Sequence, residues 1–363
     1  MMLMKCADLK VVGTAMDGVD ALAQAQRTQP DVMTLDIEMP GMDGLEVLDH
    51  MMAHHPLPII MVSAWTEEGA AVTLRALERG AVDFIAKPMN SDPSEIGVIE
   101  GLLHTKVREA FQLWHRLPLI RPDGIHRDGL AGEASPGLKV QDKPRFPRRP
   151  FGKRSLNEVR ETSQRTNFPL VVIGASTGGP NLLKAVVRDL PSTFPAALLI
   201  VQHMPKYFTK VFADNLDAVA AIPIREAQDG DALQPGVGFV VPGDHHVRVV
   251  RQVDGRAVMA LANESLAYPY RPSIDCAMTS AAEQFGPLTV GVVLTGMGDD
   301  GMVGSQTIKE HGGLILAQDE ATSFIYGMPR AVVEAGLADA VISDVQISSA
   351  LVQAVESACV INR

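Results

Sequence analysis

Residues 171–180 read VVIGASTGGP, and this stretch decides the fold of the C-terminal half of the chain. A short apolar run ends in a glycine-rich turn that carries one hydroxyl group, that of Ser176. Residues 181–190 then place leucine and valine at helical spacing. The pattern predicts a buried strand, a tight turn and a helix whose first N–H groups are free to stabilise an anion.

Three interpretations of this turn remain open from the stretch alone. Ser176 could be a nucleophile beside an anion-stabilising pocket. The glycines at 174–179 could instead cradle a phosphate group, as in a nucleotide-binding domain. The turn could also be no more than a close joint between a strand and a helix.

Length and composition limit the class of protein. A chain of 363 residues with 46% hydrophobic and 21% charged residues predicts two globular domains with ordinary cores. The net charge of −11 argues against a general nucleic-acid binder. The cysteines Cys6, Cys276 and Cys359 form no CxxC pair, which is typical of a reducing compartment. No apolar run has the length of a membrane span and no secretory signal is present, so we expect a cytoplasmic protein without membrane insertion.

The first hundred residues alternate between predicted strands and helices. Strands are predicted at residues 10–15, 31–35, 58–63 and 83–86, with helices between them. This alternation predicts an α/β fold with a parallel sheet. Asp36, Ser63 and Lys87 each end or follow a strand, so they share one edge of the sheet. A carboxylate, a hydroxyl and an ammonium group at one edge suit an aspartyl-phosphate.

Residues 10–98 resemble the receiver domain of response regulators, through DVMTLDIEMPGMDG, MVSAW and FIAKP. The resemblance implies a flavodoxin-like, doubly wound domain over residues 1–118. It implies that Asp36 accepts a phosphoryl group from a histidine kinase. It also implies that Ser63 and Lys87 contact that group and sense its presence.

The start of the chain departs from the receiver pattern. Receivers begin with a strand that carries an acidic pair for Mg²⁺, and no acidic pair precedes Asp8. That strand would lie at the centre of the sheet, where unpaired backbone is costly. Two interpretations stay open: an in-frame upstream segment supplies the strand, or the receiver is degenerate and takes neither Mg²⁺ nor phosphate.

Residues 119–166 are predicted to be a basic, proline-rich linker. Residues 122–166 hold ten lysines and arginines against six aspartates and glutamates, with few large apolar residues. Such composition is typical of a poorly ordered tether. The alternative is that the basic stretch at 145–154, RFPRRPFGKR, docks on an acidic partner surface.

A second set of strands is predicted within residues 167–363, at 170–173, 197–202, 238–241, 291–295, 314–317 and 340–342. Ser176 follows the first of them, His203 the second, and Asp299 and Asp300 the fourth. A hydroxyl, an imidazole and a carboxylate at one edge of a parallel sheet are the groups that nucleophilic acyl transfer requires.

Residues 169–360 resemble the catalytic domain of the chemotaxis protein-glutamate methylesterases, the CheB family. The matching segments are VVIGASTGGP, IVQHMPKYFTKVFA, VPGDHHV, RPSIDCAMTSAA, VGVVLTGMGDDGMVGS and QDEATSFIYGMPRAVVEAG. The resemblance implies a Rossmann-like domain in which Ser176 is the nucleophile and His203 the base. The family motif GMGxDG places the acid directly before its last glycine, which selects Asp300 over Asp299.

Further expectations follow from the same resemblance. Thr177 and Met297 match residues beside the reacting centre, and the Met297 N–H group is the expected oxyanion donor. The implied reaction is hydrolysis of glutamate methyl esters on methyl-accepting chemoreceptors, with glutamine deamidation as a related activity. No cofactor is expected for catalysis, and we expect a monomer.

Two other classes of protein compete with an esterase. A nucleotide-binding domain is disfavoured because the G-x-G-x-x-G spacing is absent and the second strand ends in Gln202-His203 rather than in an acidic residue. A non-enzymatic adaptor that docks through its receiver is the other alternative.

Several further side chains have two interpretations each. His245 and His246 could form a metal pair, but neighbouring residues of an extended segment point in opposite directions. Phe324, Tyr326 and Met328 either shape the rim of the pocket or serve ordinary packing. Arg271 and Arg330 either meet acidic receptor helices or pair with surface carboxylates.

Overall fold

The computed structural model describes residues 2–64, 66–87, 93–116, 168–262 and 268–361. The chain divides into two compact units, Met1–Pro144 and Arg145–Arg363. The predicted linker at 119–166, with its basic stretch, lies outside the described residues.

The N-terminal unit contains a parallel three-stranded sheet of order β1-β2-β3, built from β1 (Met33–Asp36), β2 (Ile59–Ser63) and β3 (Asp83–Ala86). Asp36 and Ser63 are the last residues of their strands, and Lys87 directly follows the third. The predicted common edge is therefore confirmed. The helices are α1 (Gly18–Thr28), α2 (Gly44–His54), α3 (Glu67–Glu78) and α4 (Pro93–Arg116), preceded by a 3₁₀ turn at Met2–Lys5.

The strand predicted at residues 10–15 is wrong. These residues have no regular structure and are mostly exposed. In the receiver strand order their partner is the central strand, and no described residue supplies it. A β-forming sequence without a neighbouring strand leaves its backbone groups to water, so its local propensity is not expressed.

The C-terminal unit contains a parallel seven-stranded sheet of order β12-β11-β10-β4-β5-β7-β6 and an antiparallel two-stranded sheet, β8-β9. Its strands are β4 (Leu170–Ala175), β5 (Ala197–Gln202), β6 (Ile224–Glu226), β7 (Gly238–Val240), β8 (His246–Arg251), β9 (Ala257–Ala262), β10 (Thr289–Val293), β11 (Leu314–Gln318) and β12 (Ala340–Ile342). Its helices are α5 (Gly179–Arg188), α6 (Phe208–Asp217), α7 (Ile274–Phe285), α8 (Met302–Glu310), α9 (Met328–Glu334) and α10 (Ile347–Ile361), with 3₁₀ turns at Gly286–Leu288 and Asp344–Gln346.

The core of this unit lies on both faces of the central strands. Every residue of β4, β5 and β10 is buried, as expected for parallel strands covered by helices on two sides. Helix α5 packs with α6 and α10, while α7 packs with α8, and both α7 and α10 contact β10. The predicted Rossmann-like parallel sheet is confirmed.

The topology places the point where the strand order reverses at the end of β4. The chain proceeds from β4 to β5 on one side of the sheet and returns through β10 on the other. Ligands of open α/β sheets bind where the strand order reverses, outside the carboxyl ends of the strands. All six predicted strands are present, although the fourth begins and ends two residues earlier than predicted. The prediction missed β6, which is only three residues long, and the β8-β9 hairpin.

Candidate active site

Strand register brings Ser176 and His203 to neighbouring positions. Ala175 is paired with Gln202 in the β4-β5 ladder, and the His203 N–H group donates to the Ala175 carbonyl at 3.0 Å. The Gln202 side chain then donates from Nε2 to the Ser176 carbonyl at 2.8 Å and to the His203 carbonyl at 3.3 Å. One buried amide thus ties together the two turns that carry the hydroxyl and the imidazole.

The glycines around Ser176 are explained by close packing. Gly178 has a φ of +81°, and a Cβ there would lie 2.4 Å from the Cβ of Phe324. A Cβ on Gly179 would lie 2.2 Å from the Gln202 Oε1. Both spaces are filled by protein side chains, so the loop needs glycine for its own packing. This weakens the interpretation of the turn as a phosphate-binding loop.

Asp300 is held by His203 and by the start of α7. The His203 Nε2 and the Asp300 Oδ2 are 2.8 Å apart, with side chains 11% and 2% exposed. The carboxylate also accepts from the Ser273 hydroxyl at 3.1 Å and from the N–H groups of Ile274 at 2.8 Å and Asp275 at 2.9 Å. Burial by itself would raise the pKa of Asp300, but these hydrogen bonds, led by that of His203, hold the pKa below its usual value.

The ionised state of Asp300 fixes the tautomer of His203. A carboxylate can only accept, so the Nε2 atom carries the proton of the hydrogen bond. The Nδ1 atom is then the nitrogen with a free lone pair. Within the described part of the chain, neither His203 Nδ1 nor the Ser176 hydroxyl forms a hydrogen bond. The two groups are at neighbouring strand ends. Asp299, by contrast, is exposed.

Asp275 links the acid to the next helix. Its Oδ1 accepts from the N–H groups of Gly301 at 2.9 Å and Gly304 at 2.7 Å, at the start of α8. Asp300 caps α7 and Asp275 caps α8, so each helix start is held by a carboxylate from the other segment. Burial, together with the nearby Asp300 charge, raises the pKa of Asp275 to about 6.

We expect Asp275→Asn to be more stable than the wild type at pH 8, with the difference shrinking as the pH falls below 6. Asparagine keeps the acceptor for Gly301 and Gly304 but removes a buried charge next to Asp300. Because the pKa of Asp275 is raised on folding from 3.8 to about 6, the wild type loses stability as the pH rises through this window. Thermal melts of both proteins between pH 4.5 and 8 measure the difference. A constant difference across this range would contradict the prediction.

The loop that carries Met297 is fixed by the segment before α9. The Gly296 carbonyl accepts from the N–H groups of Gly327 at 3.1 Å and Met328 at 2.9 Å, and the Gly296 N–H group donates to Ile325. A Cβ on Gly296 would lie 2.8 Å from that of Ser176. Met297 is therefore in the loop that packs directly against Ser176.

The other predicted residues of this region differ in how deeply they are buried. Thr177 is buried, and its carbonyl accepts from the Thr295 hydroxyl at 2.9 Å. Met328 is fully buried, which favours packing, whereas Phe324 and Tyr326 are half-buried. Three residues that contact His203 or Asp300 were not predicted from the sequence: Tyr270, Ser273 and Asp275. Ser273 and Asp275 lie in the matching segment RPSIDCAMTSAA, which by itself indicates no role for them, and Tyr270 directly precedes that segment.

In the receiver, the structure brings two of the three predicted groups together. The Lys87 Nζ lies 2.7 Å from the Asp36 Oδ2. The Ser63 hydroxyl is buried and donates to the Gly69 carbonyl at 3.1 Å, at the start of α3. No group of three or more histidines, cysteines and acidic residues that could hold a metal ion occurs among the described residues.

The remaining candidates are not brought together. His246 is fully buried while His245 is half-exposed, and burial lowers the pKa of His246. Arg271 and Arg330 are exposed, and neither forms an ion pair with a carboxylate that the structure describes. No helix in the described ranges is long and apolar enough to span a membrane.

Comparison with known proteins agrees with this geometry. The family model described as CheB methylesterase matches residues 171–351, and that of the response regulator receiver domain matches residues 2–96. A protein-glutamate methylesterase/protein-glutamine glutaminase of Pyrococcus abyssi is 40% identical over 349 residues, 96% of this chain and 87% of that protein. One from Thermotoga maritima is 36% identical over 96% of this chain and 92% of that protein.

A solved structure resembles the C-terminal unit alone. The crystal structure of the Thermotoga maritima CheB methylesterase catalytic domain is 39% identical, with a TM-score of 0.50, and the match covers 51% of this chain and 98% of that one. Together with the full-length relatives, this match assigns the chain. It belongs to the CheB methylesterase family, with a response regulator receiver domain preceding the esterase domain.

Proposed function

We propose that this chain hydrolyses glutamate methyl esters on methyl-accepting chemoreceptors through Ser176, His203 and Asp300. One observation carries the proposal: the 2.8 Å hydrogen bond between His203 and a buried Asp300, beside Ser176 at the same sheet edge. The names of the relatives supply the substrate class. The receptor parts concerned are cytoplasmic, so the enzyme would act there, as a monomer and without a cofactor.

In the proposed reaction the Ser176 oxygen attacks the ester carbonyl while His203 Nδ1 takes the hydroxyl proton. Asp300 stabilises the resulting imidazolium through Nε2, and the Met297 N–H group donates to the oxyanion. The imidazolium then gives its proton to the departing methoxide, which leaves as methanol. A water molecule, deprotonated by His203, then attacks the acyl-serine carbonyl. The bond to the Ser176 oxygen breaks, the imidazolium returns its proton to that oxygen, and the glutamate side chain is released as a carboxylic acid.

Glutamine deamidation fits the same site. Attack by Ser176 on the amide gives the same acyl-serine, with ammonia as the leaving group. Since ammonia leaves less readily than methanol, the step depends more strongly on proton donation by His203. We therefore propose that ester hydrolysis is the faster of the two activities.

The direct test is methanol release from receptor membranes methylated with a radiolabelled methyl group. Release that depends on this protein supports an esterase. A non-enzymatic adaptor would bind the membranes without releasing methanol. A nucleotide-binding domain would instead show saturable binding when titrated with NAD(P) or ATP. For this protein we expect no binding of either nucleotide in that titration.

We also propose that phosphorylation of Asp36 by a chemotaxis histidine kinase controls the esterase. The 2.7 Å contact between Asp36 and Lys87 supports it, because a phosphoryl group on Asp36 would face this ammonium. No acidic pair precedes Asp8, and no step of the proposal runs through Mg²⁺. If the receiver is instead degenerate, the protein should take up no phosphate and its esterase activity should not respond to a phosphodonor.

We expect a phosphodonor such as acetyl phosphate, in buffer containing Mg²⁺, to raise methanol release by the wild type but not by Asp36→Asn. Asp31→Asn is the matched control, because Asp31 is exposed and precedes the strand that ends at Asp36. It should respond like the wild type.

If the wild type incorporates no phosphate, the receiver is degenerate. If removing residues 1–165 leaves the rate unchanged, the receiver does not restrain the esterase.

A further inference from the structure

Tyr270 covers one face of the His203 imidazole. The two rings are stacked, with centroids 4.5 Å apart and planes inclined by 13°. The edge of the same imidazole is held by Asp300 through Nε2. His203 is therefore fixed in two directions, by a carboxylate in the plane of the ring and by an aromatic ring parallel to it.

The same tyrosine reaches the loop of the expected oxyanion donor. A Cβ on Gly298 would lie 2.7 Å from the Tyr270 hydroxyl oxygen, and Gly298 has a φ of +83°. Gly298 directly follows Met297. The aromatic side chain thus extends from the base to the loop that the oxyanion would face, and only glycine leaves room for it there.

Tyr270 is anchored by the segment that holds the acid. Three residues later, the Ser273 hydroxyl donates to Asp300, and the N–H groups of Ile274 and Asp275 do the same. A segment of six residues therefore sets both the acid and the face of the base. Their relative orientation is fixed by one short piece of chain at the start of α7.

We propose that Tyr270 is a positioning residue of this site, whose ring fixes the plane of the His203 imidazole and stabilises its protonated form. The inference rests on the proposed roles of Ser176 and His203. The face of an aromatic ring carries negative partial charge, so it attracts a cation stacked on it. The imidazolium forms when His203 takes the Ser176 proton, so this attraction is greatest in the transition state.

A probe of Ser176 alone keeps this test separate from the receptor substrate. A fluorophosphonate reacts when the Ser176 oxygen attacks phosphorus, fluoride leaves and His203 takes the proton. The rate of labelling between pH 5 and 9 shows how His203 acts as a base, without any assumption about methyl esters. Asp300 and Tyr270 face His203, Asp275 lies behind Asp300, and the Arg271 cation is next along the chain. Asp300, Asp275 and Arg271 are unchanged in every variant.

We expect Tyr270→Phe to label at nearly the wild-type rate with the same pH profile, since the stacked ring remains. Tyr270→Leu should label about tenfold more slowly at the plateau, because it loses the attraction to the imidazolium. Its rise with pH should also move to lower pH, since the protonated imidazole is no longer favoured. In methanol release the loss should fall on kcat rather than on KM.

Tyr268→Leu is the matched control, two residues away on the same segment. Its ring is tilted against His246 at 5.6 Å and does not contact His203. It should label like the wild type. A Tyr270→Leu protein with wild-type plateau and pH profile would overturn the proposal, as would Tyr270→Phe with the full loss. If Tyr270→Leu does not fold, Tyr270→Trp keeps the test, since a stacked indole should preserve the profile.

Should the wild type label normally but release no methanol from receptors, the proposed substrate is wrong while the role of Tyr270 is still tested. If labelling is absent in the wild type, the proposed nucleophile fails, and the inference fails with it.

Discussion

Ser176→Ala is expected to abolish methanol release from methylated receptors. Removing the nucleophile of a serine hydrolase triad lowers kcat by roughly a millionfold, which lies below detection in a membrane assay. The substitution should leave the fold intact. The contacts of Ser176 to Thr295 and Gln202 use its backbone, and the Cβ that packs against Gly296 is retained. Methanol release, fluorophosphonate labelling and a thermal melt measure the outcome together.

The matched control is Ser349→Ala. Ser349 is an exposed serine of α10 whose hydroxyl donates to the Gln346 carbonyl. It should retain wild-type methanol release and labelling. Substantial activity in a correctly folded Ser176→Ala protein would remove Ser176 as nucleophile, and with it the proposed mechanism.

The second large effect concerns the acid. We expect Asp300→Asn to lower kcat by about 10⁴-fold, because the side chain can no longer stabilise the imidazolium or hold its tautomer. Asparagine preserves the shape of the side chain and keeps one of its two oxygens, which can accept from the N–H group of either Ile274 or Asp275 but not of both, since the two donate to different carboxylate oxygens. Asp300→Ala should lose as much activity and also stability, since it leaves buried donors unpaired. His203→Gln should cost several orders of magnitude as well.

Asp299 provides the control for this experiment within the same loop. Its side chain is exposed, so Asp299→Asn and Asp299→Ala should stay close to wild-type kcat. Near-normal activity of Asp300→Ala with loss in Asp299→Ala would reverse the assignment. Since hydrogen bonds hold the pKa of Asp300 below its usual value, its protonation should not limit the rate near neutral pH.

Much of this site could be predicted because its parts are local in sequence. Asp36, Lys87, Ser176 and His203 each end or follow a strand, and hydrophobic runs reveal strands reliably. Parallel strands bring such residues to one edge, so no long-range contact had to be known. The resemblance to a family then selected Asp300 from two neighbouring candidates.

Other parts could not be predicted because they depend on partners that are distant in sequence. Ser273 and Ile274 contact Asp300 from 27 and 26 residues away. Hydrophobic periodicity does not indicate which helix start will pack against the loop that follows a distant strand. The failure at residues 10–15 has the same origin. A strand exists only where a neighbour accepts its hydrogen bonds, and the local sequence contains no information about that neighbour.

The sequence by itself determined the α/β architecture of both units, most of the parallel strands and the identity of the groups that follow them. These depend on hydrophobic periodicity and short turns, which act over a few residues. The tertiary structure decided which atoms meet. It set the 2.8 Å contact from Nε2 of His203 to Asp300, the stacking of Tyr270 and the two carboxylates that cap α7 and α8. Such contacts arise only when separate segments are packed into one core, because burial removes water as the competing partner.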